Sequence, residues 1–311
     1  MSSLAESAAQ SGSLKTVSGM EFAHYYFNVI RGVTRKQSLS PHKIVHWENL
    51  PFSLSDKLVQ DWKGVFQVGE EQSAAAFTYH VKIGRDYLFH VLSALGANFL
   101  NVMYLGVNIK YMASNVVFHA GENYIFNAQV SDIALLNHNR AILDLKGEIR
   151  NSAGELLLVQ SDKIFINNLN KVDTEKLKVS QADQYSEFRG LSKQTTQLAN
   201  RSDALQKTFV LPRNMGYRYG LISGDLNPIH TQDIFSRMAG HRRSFVQGLY
   251  TANFALHTLI NESGRAIREF ELKLCNPIYT GVPIVFAHTE DRFEFLDQKQ
   301  KVLAFGILKA F

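Results

Sequence analysis

The fold turns on residues 223–260, "SGDLNPIHTQDIFSRMAGHRRSFVQGLYTANFALHTLI". The second part, Ser244 to Ile260, is largely apolar with Gly248 near its start, and it reads as a helix buried on nearly all sides. The first part packs Asp225, Asn227, Pro228 and His230 closely after Tyr217, Tyr219, Leu221 and Ile222. Gly224 and the Asn-Pro pair predict a tight, non-helical turn, since a residue before proline is pushed out of the right-handed helical region. A turn holding an acid and an imidazole five residues apart can aim both side chains into one cleft. The plainer reading is an Asx turn or N-cap with an incidental histidine. Against it, Asp, Asn, Pro and His at this spacing arise by chance in on the order of one chain of this length in a thousand.

Working outward, the same order of signals occurs twice. In the first half, Asp86 to Phe99 reads as a buried helix. Tyr124, Phe126, Ala128 and Val130 then alternate with polar or outward positions, as do Leu143, Leu145, Gly147 and Ile149, which is the period of a half-buried strand. "NSAG" turns the chain into "ELLLVQSDKIFI". In the second half, Phe270, Leu272 and Leu274 alternate with Glu269, Glu271 and Lys273, and "KVLAFGILKAF" closes the chain. Short turns leave no room for parallel crossovers. The expectation is an α+β protein of two tandem antiparallel sheets, each wrapping a central helix. Residues 1–40 read as a flexible N-terminal tail, 41–166 as the first domain, polar 167–206 as a linker, and 207–311 as the second domain.

The chain has 311 residues, 33 Lys+Arg against 28 Asp+Glu, and one cysteine. The mild positive charge suits anionic small molecules or an acidic carrier protein. It is spread without blocks or nucleic-acid signatures, so nucleic-acid binding is not expected. The lone Cys275 excludes a disulfide framework and fits a reducing, cytoplasmic setting; followed by Asn-Pro, it reads as a strand-end thiol rather than a nucleophile. The N-terminal residues lack a signal peptide pattern. Tyr87 to Ile109 carries no charge, yet its histidine, asparagines and glycines argue for a buried helix running into a strand rather than a membrane span. The histidines have no metal-ligand spacing, and no metal or bound cofactor is expected.

The stretch 211–260 resembles the hydratase-motif region of the MaoC-like dehydratases, the (R)-specific enoyl-thioester hydratases of the hot-dog fold. Tyr219, Ser223, Gly224, Asp225, Asn227, Pro228, His230, Ala239 and Gly248 carry the match. The first half resembles the degenerate hot-dog of two-domain members, with "YHVKIGRDYLFH" where the motif would stand. The resemblance implies a double hot-dog with one active site per chain, the first half supplying an acyl tunnel. Where the family usually has His before the helix glycine, this sequence has Gln247.

The implied activity is reversible dehydration of (R)-3-hydroxyacyl thioesters to trans-2-enoyl thioesters in fatty-acid metabolism. That chemistry needs a base for the C2 proton and an acid for the departing hydroxyl, and an imidazole and a carboxyl on one turn supply both. His230 is assigned the C2 proton and Asp225 the water; the labels can exchange, because such a pair titrates together. The start of the helix near Gln247 offers backbone N–H groups to an enolate oxygen, and Gly248 lets the thioester approach. Asn227 is expected to orient His230 or its loop. Ser223 and Gln247 are candidate substrate contacts, and Arg242 and Arg243 candidate docking points for the phosphates of coenzyme A or a carrier protein's phosphopantetheine. The expected partners are thus acyl-CoA or acyl carrier protein, with the chain a monomer of pseudo-dimeric hot-dogs or a homodimer. The alternatives are a non-catalytic acyl-thioester binding or scaffold protein on the same fold, and a hot-dog thioesterase.

Overall fold

The computed structural model describes residues 38–39, 46–66, 81–94, 101–114, 116–137, 139–167, 171–172, 179–180, 185, 188 and 190–311. Nearly all of the expected tail therefore lies outside the described residues, as does the end of the helix expected over Asp86 to Phe99.

The first half comprises β1 (Trp47–Ser53), α1 (Asp56–Phe66), α2 (Val81–Ala94), β2 (Val102–Tyr111), β3 (Asn123–Asn137), β4 (Arg140–Asn151) and β5 (Leu156–Ile166). The second comprises β6 (Leu205–Val210), α3 (Met215–Ser223), α4 (Pro228–Thr231), α5 (Asp233–Met238), α6 (Gly248–Ser263), β7 (Ile267–Leu274), β8 (Pro283–His288), β9 (Arg292–Leu296) and β10 (Val302–Ala310). Both halves belong to one sheet, ordered β1-β3-β4-β5-β2-β7-β10-β9-β8-β6, with Val179–Ser180 added beside β3. Counted outward from the β2–β7 junction, the two strand orders are the same. The period-two runs account for this: Tyr124, Phe126 and Ala128 are buried on β3, and Phe270 and Leu272 on β7. The expected α+β architecture of two antiparallel sheets, each with its helix, is what the chain adopts, and the sheets are continuous.

The junction is antiparallel from Lys110↔Glu269 to Gly106↔Lys273. A shared core crosses it. Trp62 of α1 meets Tyr219 of α3 edge-on at 5.9 Å, and Phe66 stacks on Tyr250 of α6 at 5.3 Å. Burying two such aromatics is worth roughly 3–6 kcal/mol, which couples the two halves.

The polar stretch expected as a linker does not run free where it is described. Tyr185 is buried against Leu105, Ala134 and Ile142 of the first half, and Leu198 against Ala287, Leu296 and Val302 of the second. The physical reason is one buried acid. Glu294 accepts from Thr196 Oγ1 at 2.6 Å and from the amides of Gln197 and Leu198 at 2.9 and 3.2 Å. Isolated polar residues that looked unstructured are thus tied to a strand a hundred positions away. Glu294→Ala strands those donors and is expected to cost about 2–4 kcal/mol. Thermal melting would register the loss, and limited proteolysis would show new cleavage near 194–200, with Glu294→Gln milder on both.

Candidate active site

The motif folds as a broken helix. α3 ends at Ser223, and Gly224 takes the left-handed conformation at φ 79°, which a side chain would strain. Ser223 Oγ donates to the Tyr219 carbonyl at 2.9 Å and accepts from the Asp225 amide at 3.2 Å. Asp225 Oδ1 accepts from the Asn227 amide at 3.2 Å, and Asn227 Oδ1 accepts from the Ile229 amide at 3.3 Å, capping α4 with Pro228 at its first position. Two successive Asx-type contacts turn the chain, and α4 then carries His230 back beside Asp225.

His230 Nε2 lies 3.9 Å from Asp225 Oδ2, with the two side chains 11% and 24% exposed. Its Nδ1 sits 2.9 Å from the Phe245 carbonyl oxygen. That carbonyl can only accept, so Nδ1 carries the proton and Nε2 presents its lone pair to Asp225. Burial pushes the His230 pKa below its ordinary value, partly offset by the Asp225 charge and the Phe245 carbonyl. The 3.9 Å separation is too long for a direct hydrogen bond and admits one oxygen within bonding reach of both. Asn227 orients the loop; the group that orients His230 is Phe245, which sequence reasoning did not single out.

Gln247 stands at the N-cap of α6 and is 2% exposed. Its Nε2 donates to the carbonyls of Gly216 and Asp225, each at 2.8 Å. Expected as a substrate contact, Gln247 ties the Asp225 turn to α3 and α6 through its amide nitrogen. Ser223 likewise is wholly enclosed, with its hydroxyl engaged within the turn. Gln247→Leu removes both bonds; it is expected to cost about 1–3 kcal/mol and to lower kcat through the loosened turn, with KM little changed. Melting temperature and steady-state kinetics check this.

Gly248 opens α6, as the resemblance implied. A Cβ there would stand 2.7 Å from Tyr104 Cδ1 and 2.6 Å from Leu274 Cδ1, so the close approach it permits is to side chains from both sides of the sheet junction. Tyr104 in turn donates to Asp162, whose carboxyl also meets Gln160 Nε2 at 2.8 and 2.9 Å. Burial pushes the Asp162 pKa up to about 6. Beside this network lies the first half's cavity of about 20 Å³, walled by Tyr87, Phe126 and Leu145. That is room for a water rather than an acyl chain.

The remaining candidates lie outside the turn. Arg242 is exposed with its guanidinium 4.3 Å from the Tyr279 ring centroid, and Arg243 Nη1 is 3.4 Å from the Thr280 carbonyl. Phe245 packs between His230 and His241, at 4.8 and 4.6 Å, which brings this cationic segment beside the dyad. Cys275 is half-buried and its thiol is pushed up to about 12 by burial, which disqualifies it as a nucleophile at neutral pH. Among the described residues, no group of three His, Cys, Asp or Glu side chains is disposed to hold a metal, and no helix is long and apolar enough to cross a membrane.

Residues 193–304 match the family model described as "MaoC like domain". No curated protein sequence matches the chain. Among solved structures, HtdX of Mycobacterium tuberculosis shares 13% identity at a TM-score of 0.63, covering 86% of this chain and 100% of that one. A second M. tuberculosis protein, described as having a double hot-dog fold, shares 11% at 0.53, covering 86% and 96%. The full-length peroxisomal multifunctional enzyme type 2 of Drosophila melanogaster shares 14% at 0.60; the match covers 95% of this chain and 53% of that longer one. At these identities the likeness establishes the double hot-dog architecture, and the family match covers the half that bears the dyad. Residues 193–304, which hold both Asp225 and His230, thus resemble a MaoC-like domain within a chain of double hot-dog fold.

Proposed function

We propose that the protein interconverts (R)-3-hydroxyacyl and trans-2-enoyl thioesters by removing and adding water. The observation that carries this reading is the His230 Nε2 lone pair held 3.9 Å from the Asp225 carboxyl group, on one turn beside the start of a buried helix. The working pair holds one proton. In dehydration it begins on Asp225. His230 Nε2 accepts the C2 proton, and the C2–H electrons move into the thioester to form an enolate. Backbone N–H groups at the first turn of α6 stabilise its oxygen. As the enolate collapses to the C2–C3 double bond, the C3–O bond breaks and Asp225 protonates the departing hydroxide. The pair is left as imidazolium and carboxylate, and the product water between them returns the proton to Asp225. Hydration runs the same steps backward.

Arg242 and Arg243, just before Phe245 in the chain, suit the phosphates of coenzyme A or of a phosphopantetheine arm. The test is loss of enoyl absorbance with trans-2-enoyl-CoA of short and long chain, and with the same acyl groups on a carrier protein, followed by chiral analysis of the product. Formation of the (R)-3-hydroxyacyl thioester is expected. No turnover on either carrier overturns the enzyme reading in favour of an acyl-thioester binding protein, and release of free thiol overturns it in favour of a thioesterase.

A further inference from the structure

Arg85 belongs to α2, in the half that lacks the motif, and its side chain is 12% exposed. It reaches across to the catalytic turn. Nη1 donates to the Gly224 carbonyl at 2.6 Å. A Cβ on Gly224 would stand 2.3 Å from Nη2 and 2.6 Å from Cζ, so the guanidinium covers the open face of that glycine. The cation is itself held: Nη2 pairs with Asp86 at 2.5 Å, and Cζ lies 5.3 Å from the Phe89 ring centroid. Its buried Nε has no acceptor among the described residues.

Gly224 is the point where the chain leaves α3 and turns toward Asp225. A glycine at φ 79° is a soft joint, free to visit many conformations unless something fixes it. The carbonyl that Arg85 grips shares its peptide plane with the Asp225 amide, so fixing it sets the direction in which Asp225 departs. A charge-assisted bond is roughly twice as strong as a neutral one. Gln247 grips the next carbonyl, that of Asp225, at 2.8 Å.

We propose that Arg85 is a positioning residue for the Asp225–His230 dyad, supplied by the motif-less half of the same chain: it locks Gly224 and thereby holds the Asp225 carboxyl at its working distance from His230. The kinetic part of this inference rests on the hydratase-dehydratase reading above. It gives the first half a role in catalysis that does not depend on an acyl tunnel, and it accounts for a glycine that must stay open at this position.

Arg85→Ala and Arg85→Lys, in the full chain, provide the test. A misplacement of about 1 Å can cost 10²-fold, so Arg85→Ala is expected to lose roughly that in kcat for enoyl-CoA hydration. KM should stay within about twofold, since ground-state binding is untouched. Millimolar methylguanidinium should restore part of the lost kcat by refilling the space over Gly224. Lysine should not, because an ammonium lacks the planar face. A kcat within about twofold of wild type overturns the proposal, as does a loss that tracks a lowered melting temperature and resists methylguanidinium. Amide hydrogen exchange separates this from the functional reading. Residues 224–230 should exchange faster in Arg85→Ala while β7 to β10 are unchanged, whether or not any thioester is turned over. Unchanged exchange at the turn overturns the clamp even in an active enzyme.

Discussion

Replacing His230 by alanine or Asp225 by asparagine is expected to lower kcat for enoyl-thioester hydration by roughly 10²–10⁴-fold, the usual worth of a positioned acid or base. The two substitutions remove chemistry with different structural side effects, which makes the pair informative. Asparagine at 225 keeps an oxygen to accept from the Asn227 amide at the turn, so its melting temperature should stay near wild type while turnover collapses. Alanine at 230 also abandons the bond to the Phe245 carbonyl and should melt somewhat lower. The double variant should be little worse than either single one, because members of one proton-transfer unit are not additive. The pH profile adds a second handle. Burial holds His230 below its ordinary value, so its neutral form survives as the pH falls through 6.5. The acid limb of kcat/KM should therefore appear only below that point, when a second proton enters the pair. Full activity in both single variants would remove the dyad from the mechanism, whatever the fold.

The dyad was legible because its spacing is local. An Asx turn, an Asn-Pro cap and a short helix are all written within eight residues, and nothing distant is needed to see that Asp225 and His230 face each other. The strands were legible for the same reason: period-two runs such as Leu143 to Ile149 and Phe270 to Leu274 record which face is buried. What escaped was everything contributed from far along the chain. Arg85 sits 139 positions from its Gly224 partner, and an arginine in an amphipathic stretch reads as a solvated cation. Gln247 looked like a substituted substrate contact; only the approach of the Gly216 and Asp225 carbonyls turns it into a brace. The stretch 191–204 looked like linker because its two buried leucines, Leu191 and Leu198, are isolated in sequence, and the Leu198 segment is anchored by Glu294, a charge that local patterning assigns to the surface. Helix α3 was missed because Gly216 and Gly220 lower its intrinsic propensity, while Trp62 and Phe66 of the first half cover it.

The same burial that keeps His230 neutral predicts a steep acid sensitivity centred on α6. His257 is 3% exposed on that helix, its ring 5.2 Å from Phe66, and burial pushes its pKa from 6.5 down to about 3. The folded state refuses a proton that the unfolded chain accepts below pH 6.5. At pH 7 both states are neutral there and nothing is lost. As the pH falls from 6.5 toward 3, stability should drop by about 1.4 kcal/mol per unit, or roughly 2 kcal/mol by pH 5. His230 and His241, both lowered by burial, act in the same direction. Carboxylates held low by their partners, such as Glu269 beside Asn108 and Lys309, add their share only below about pH 4.5. His257→Leu, close in volume and without a proton to accept, should leave the pH 7 urea midpoint within the range of an ordinary core exchange and flatten its decline between pH 6.5 and 5. Equal slopes for wild type and variant would show that His257 takes up its proton in the folded state. Circular dichroism over the same range separates this loss of fold from protonation of the Asp225–His230 pair, which lowers turnover while the helix signal stays.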